Sequence, residues 1–141
     1  MTNKRSVVIT ILIFLMLAFI WGNSLLPTEK SDGLSRWVLE HVFREDRGGA
    51  DFTKGNHLLR KAAHMTEFAI LAALIVFQMR EKKRFWLYGA LAIPAAAIDE
   101  TIQIFSRRGS QLKDVGIDAA GAVLGTLIIT LLLRAAGKKR R

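Results

Sequence analysis

The stretch FWLYGALAIPAAAIDETIQIF, Phe85 to Phe105, decides how this chain is read. Its 21 residues include two charged side chains, Asp99 and Glu100, and neither lies at an end. A helix on a soluble protein meets water along one face and carries a polar stripe there, which this stretch lacks. About 20 apolar residues, at 1.5 Å of rise each, cross a hydrocarbon layer of roughly 30 Å. The stretch therefore has the length and composition of a membrane span.

Three more stretches share its character. Val7 to Leu26, Ala62 to Met79 and Val115 to Leu133 contain only Glu67 and Asp118 as charged residues. With Phe85 to Phe105 they hold four of the 33 charges, so the other 29 crowd into the remaining 63 positions of the 141-residue chain. The bulk figures, 51% hydrophobic residues and a net charge of +9, are near those of ordinary globular proteins, so it is the segregation of charge that excludes one. The expectation is an all-α membrane protein, a single membrane domain over residues 1–141. Its four transmembrane helices are placed at about 7–26, 58–79, 85–105 and 115–136, which makes it a multi-pass protein of the cell membrane.

Charge also orients the spans. Lys4 and Arg5 precede the first; Arg80, Lys82, Lys83 and Arg84 separate the second from the third; Arg134, Lys138, Lys139, Arg140 and Arg141 follow the fourth. Those 11 cations face one acid, Glu81, whereas Thr28 to His57 carries five cations and six acids. Basic residues collect on the cytoplasmic side, so both termini and the middle loop are expected there. The basic tail has no interleaved aromatic residue and needs no nucleic-acid partner to explain it. The chain has no cysteine, which excludes disulfides, thiolate nucleophiles and cysteine metal sites. The first span is read as retained rather than cleaved as a signal, because its apolar run is as long as a full span and three more follow.

Between the spans the sequence carries local instructions. Pro27 stops the first helix and leaves Ser24 at its outer end. Leu34, Trp37, Val38 and Val42 recur at helical spacing, predicting a short amphipathic helix over Ser35 to Arg44 in the first outer loop. Gly48, Gly49 and Gly55 predict a flexible return, with Asn56 capping the second span. Phe85, Trp86 and Tyr88 form an inner aromatic belt, and Pro94 predicts a kink within the third span. Gly121 and Gly125 make a GxxxG face suited to close helix packing, and also to association with a second copy.

An ionisable side chain within a span costs about 2.5 to 3.5 kcal/mol on insertion scales, so it needs a partner or a wet cavity. Here such groups share one depth. At 1.5 Å per residue, His64 and Glu67 lie about 10 to 15 Å below the outer surface, and Asp99, Glu100 and Gln103 about 6 to 12 Å. Asp118 lies one turn below Asp114. Lys61, His64 and Phe68 form one stripe, flanked by Arg60 and Glu67; Asp99, Gln103 and Arg107 form a second; Asp114, Asp118, Gly121 and Gly125 form a third. Turned toward one another, the stripes make an outward-facing polar pocket. Its ligand-binding residues are expected to be Arg60, Lys61, His64, Glu67, Asp99, Glu100, Gln103, Arg107, Asp114 and Asp118, with Arg108 and Lys113 also at the rim.

RKAAHMTEFAIL, DETIQIFSRRGSQLKDVGIDAAGAVLG and the serine of WGNSLLP together resemble the VanZ-like family, named for a membrane protein associated with low-level teicoplanin resistance. The resemblance covers nearly the whole chain. It implies a multi-pass bacterial envelope protein that alters how glycopeptides reach their lipid-linked targets. Members often carry Tyr where Phe68 stands and Asn where Asp118 stands, so this chain loses a hydroxyl and gains a carboxylate.

Three functions fit these residues. The first is binding of an anionic lipid, a lipid-linked cell-wall precursor or a glycopeptide-related ligand through the basic rim. The second is a metal-assisted hydrolase or transferase acting on a lipid phosphate head group. There His64, Glu67, Asp99, Glu100 and Asp118 are the catalytic candidates, and His64, Asp99, Glu100 and Asp118 the ligands for a divalent cation. A purely nucleophilic version would combine Ser24, His64 and Asp118. The third is a proton-coupled carrier relaying through His64 and Glu67. Ion pairs that only fix helix register are the structural alternative, and the concentration of five cations and four intramembrane acids on one side favours a pocket over it.

Overall fold

The computed structural model of the chain describes residues 4–26, 33, 37, 40–41, 50–106 and 112–138. Uninterrupted apolar runs become helices wherever sequence allows them. Among the described residues there are four α-helices and no strand: α1 (Lys4–Leu25), α2 (Ala50–Gln78), α3 (Ala92–Phe105) and α4 (Leu112–Lys138). A 3₁₀ helix, Phe85–Leu91, leads directly into α3. Of the expected amphipathic helix over Ser35 to Arg44, only Trp37, Glu40 and His41 are described; each is helical. The Trp37 and His41 rings stack at 5.0 Å. The glycines Gly48 and Gly49 lie outside the described residues.

Two boundaries differ from the sequence expectation. α2 begins at Ala50, eight residues before the predicted span, and runs straight through Gly55 and Asn56. One glycine inside a helix costs about 1 kcal/mol relative to alanine, and a helix anchored over its remaining length can absorb that. The stretch Phe85 to Phe105 is a composite rather than a kinked α-helix. Pro94 lies in the first turn of α3, where a missing N–H forfeits no intrahelical bond. The seven 3₁₀ residues and fourteen α residues together reach about 35 Å at 2.0 and 1.5 Å per residue. The stretch keeps its length by changing its pitch. Before it, a tight turn over residues 79–84 reverses the chain, with Lys82 N–H donating to Met79 O at 2.9 Å. Arg84 closes the turn in a left-handed conformation, φ 55°.

α1 and α4 are long and apolar enough to cross a membrane, and only 11% and 28% of the residues in their apolar stretches are buried. The core helix of a soluble protein would be mostly buried. Phe14, Leu15, Leu131 and Leu132 are exposed, while Asp99, Glu100, Gln103 and Asp118 are buried. That inversion suits a hydrocarbon solvent, and the molecule is a membrane protein.

Small residues set the packing. Ile20, Phe68 and Leu71 share the core with five alanines, Ala72, Ala92, Ala95, Ala96 and Ala122. α1 is integral to the bundle: Ile20 is fully buried, and the Trp21 indole N–H donates to Ala95 O at 3.3 Å. The most extensive helix pairing joins α2 to α4, which run parallel with their backbones in contact. A Cβ at Gly121 would collide with the Met65 carbonyl, and one at Gly125 with the Ala69 carbonyl. The GxxxG face is thus filled by α2 of the same chain rather than left open to a second copy. A Cβ at Gly89 would likewise collide with Thr126 Oγ1, which seats the 3₁₀ helix on α4.

Candidate functional site

Every helix contributes to one polar cluster. α1 supplies Ser24 from its last turn, α2 supplies Lys61, His64 and Glu67, α3 supplies Asp99, Glu100 and Gln103, and α4 supplies Asp114 and Asp118. The helical repeat explains the local grouping. Lys61, His64 and Glu67 step by threes along one side of α2, Asp99 and Gln103 by four along α3, and Asp114 and Asp118 by four along α4.

The cluster is graded from its edge inward. At the edge, Lys61 Nζ lies 3.0 Å from Asp114 Oδ1, with the two side chains 41% and 27% exposed. Lys113 is exposed and Arg60 half-buried. Deeper, His64 Nδ1 is 3.7 Å from Glu67 Oε2 and 3.8 Å from Asp99 Oδ2. These separations exceed hydrogen-bond length but lie within strong electrostatic range. At the floor, Asp99 is fully buried and Asp118 nearly so.

Gln103 organises the floor. Its amide nitrogen donates to Asp99 Oδ2 at 2.6 Å and to Ser24 Oγ at 3.4 Å, tying α3 to the end of α1. Asp99 is thereby held by one oxygen. Its Oδ1 has no hydrogen-bond partner among the described residues, and neither has Asp118 Oδ1. Buried polar oxygens are nearly always hydrogen-bonded, so two such carboxylate oxygens in one cluster call for an explanation.

The structure brings together most of the residues singled out from sequence. Arg107 and Arg108 lie outside the described residues. Ser24 Oγ accepts from Gln103, so the hydroxyl proposed as a nucleophile lies within the same hydrogen-bonded group as Asp99. Of the four metal candidates, His64, Asp99 and Asp118 each offer a ligating atom within 4.8 Å of the others; Glu100, though buried beside Asp99 in sequence, is not one of the three. Phe68 is fully buried in the core, where a tyrosine would need a partner for its hydroxyl.

Two features were not anticipated. Gln78, at the other end of α2, donates to Ser6 Oγ at 2.8 Å and Thr10 Oγ1 at 3.0 Å, clasping α1 to α2 far from the cluster. The signal was present, since Ser6, Thr10 and Gln78 are polar interruptions near the same end of two antiparallel helices. An apolar groove of about 290 Å³ also lies between the 3₁₀ helix and α4, lined by Trp86, Ile93, Val123 and Leu127 among others. It contains none of the predicted site residues.

No curated protein and no solved structure matches the chain. The sequence model of the VanZ/LLP1 family matches residues 6–133, a range that takes in all four helices but their extreme ends and every residue of the polar cluster. The chain belongs to the VanZ/LLP1 family.

Proposed function

We propose that this VanZ-like envelope protein crosses the cell membrane four times with both termini in the cytoplasm. In this reading the cluster is an outward-facing pocket for the anionic head group of a lipid or lipid-linked cell-wall precursor. The observation that carries it is the gradation of the cluster, in which a half-exposed Lys61–Asp114 pair stands over buried Asp99, Gln103 and Asp118. A purely structural ion pair would be sealed, whereas this one keeps contact with solvent beside the buried acids. Arg60, Lys61, Arg107 and Lys113 supply the positive charge for an anion at the rim. By occupying such a precursor, or a lipoglycopeptide antibiotic directly, the protein contributes to teicoplanin-type resistance.

Topology is tested first, and the absence of cysteine makes it simple. Single cysteines at Ser110 and Gly49 should react with an impermeant thiol reagent added to intact cells, and one at Gly137 should not. The reverse pattern overturns the orientation. Head-group binding is tested with purified protein and a short-chain polyprenyl phosphate. Lys61→Ala and Arg107→Ala should each weaken binding about tenfold and lower teicoplanin resistance in cells; unchanged binding in both rejects the pocket.

A further inference from the structure

We infer that His64, Asp99 and Asp118 form a binding site for one divalent first-row cation. This goes beyond the head-group reading and does not depend on it. Three observations converge. One ligating atom from each residue lies within 4.8 Å of the other two, and the three come from three different helices. Asp99 and Asp118 are 0% and 2% exposed, and Oδ1 of each lacks a hydrogen-bond partner among the described residues. Gln103 occupies Asp99 Oδ2 at 2.6 Å, which fixes the carboxylate and leaves Oδ1 for another bond.

A buried carboxylate oxygen without a donor is costly, because it has surrendered its water and received nothing in exchange. Hydrogen-bond donors would satisfy it in a purely structural cluster, and Asp99 Oδ2 shows that donors are within reach of this one. A cation held between the two carboxylates would give them a positive partner and offset the repulsion between them. Bonds of about 2.0 to 2.2 Å place adjacent ligands about 3 to 3.5 Å apart, so the three side chains would close by about 1 Å around the ion. Mixed imidazole and carboxylate ligands suit Zn²⁺ or Mn²⁺ better than Ca²⁺, which takes six to eight oxygens. Three protein ligands leave a coordination position for water or for an oxygen of a bound molecule. The ligands would also couple α2, α3 and α4, so that the ion holds together helices whose contacts at this end are otherwise polar.

The decisive experiment uses the full chain, purified in detergent, stripped of metal with a chelator and titrated with Mn²⁺ alone. Electron paramagnetic resonance should show saturable uptake of one ion per chain, and spin-echo modulation should show a directly bound ¹⁴N. In His64→Gln the nitrogen modulation should vanish and affinity fall at least tenfold. Asp118→Asn should lower affinity by a similar factor while keeping the nitrogen signal, and Gln78→Ala, at the far end of the bundle, should leave both within about twofold. No saturable uptake by the unmutated chain overturns the site, as does an ion bound without nitrogen. Wild-type affinity in Asp118→Asn also overturns it. Because no lipid is present, this result is independent of whether a head group binds.

Discussion

The two ends of this bundle use polar residues in opposite ways. Between the helices at the end holding Ser6 and Gln78 they are neutral, the charged residues there lying beyond the apolar stretches, and the amide nitrogen of Gln78 is spent on two hydroxyls and the Ser6 carbonyl. At the end holding Ser24 and Asp114 they are mostly ionisable, and Asp99 and Asp118 each keep an oxygen with no hydrogen-bond partner among the described residues. Gln78 Oε1 and Thr130 Oγ1 also lack such a partner, but a neutral oxygen costs far less to leave so than a carboxylate. One end is a clasp built from neutral groups of α1 and α2. The other has binding capacity that the fold does not consume, and this difference marks the candidate site.

Between the two ends lies the glycine seam, and the largest stability loss is expected there. Gly125→Val should cost about 3 kcal/mol or more, because its Cβ meets the Ala69 carbonyl and a backbone cannot rotate aside as a side chain can. Thermal unfolding in detergent, with size-exclusion chromatography, checks it; a variant as stable as its parent would mean that α2 and α4 do not touch there. At the cluster the sign should reverse. In metal-free protein Asp118→Asn should raise stability by about 1 to 2 kcal/mol, because a buried negative charge beside Asp99 is removed with little change in shape. A loss of that size would place the cluster with the clasp, as a structural feature.

Gln78→Ala should lower stability by about 1 kcal/mol and leave head-group and metal binding unchanged, since its side-chain hydrogen bonds among the described residues go to Ser6 and Thr10, far from the cluster. Reduced binding in this variant would connect the two ends and blur the contrast. The smallest stability effect belongs to Lys61→Met. Its partner Asp114 is partly exposed, and exposed ion pairs contribute about 0 to 1 kcal/mol. Its effect should instead fall on anion binding, so a calorimetric shift larger than the binding loss would make the pair a structural one.

Much of the bundle is legible along the chain because a membrane span must be apolar over a set length. α1 and α4 follow directly from Val7 to Leu26 and Val115 to Leu133, within a few residues at each end. α2 is less legible at its start, since the eight residues before Leu58 are polar and glycine-containing and become helical only as an extension of an anchored helix. The pitch change before Pro94 is less legible still. Proline forbids a helical hydrogen bond, yet the same residue serves equally well inside a kink or in a first turn. Only the seating of Gly89 against Thr126 and the turn at Arg84 accompany one outcome rather than the other.

For the site, the helical repeat sufficed to place His64, Asp99 and Asp118 on polar stripes, because three- and four-residue spacings put side chains on one face. Spacing says nothing of rotation between helices. It therefore could not show that Asp99 comes within 3.8 Å of His64, nor that Ser24 accepts a hydrogen bond from Gln103. It also left Gly121 and Gly125 equally suited to a neighbouring helix or to another copy. In sequence alone these residues determine a helical membrane protein of the VanZ/LLP1 family with its ionisable groups on polar stripes of otherwise apolar helices, since hydrocarbon penalises a charge that has neither a partner nor a wet cavity. The tertiary structure decided which carboxylates converge and which face α2 fills, because those depend on how the helices turn about their axes, and that is set by backbone contact at Gly121 and Gly125.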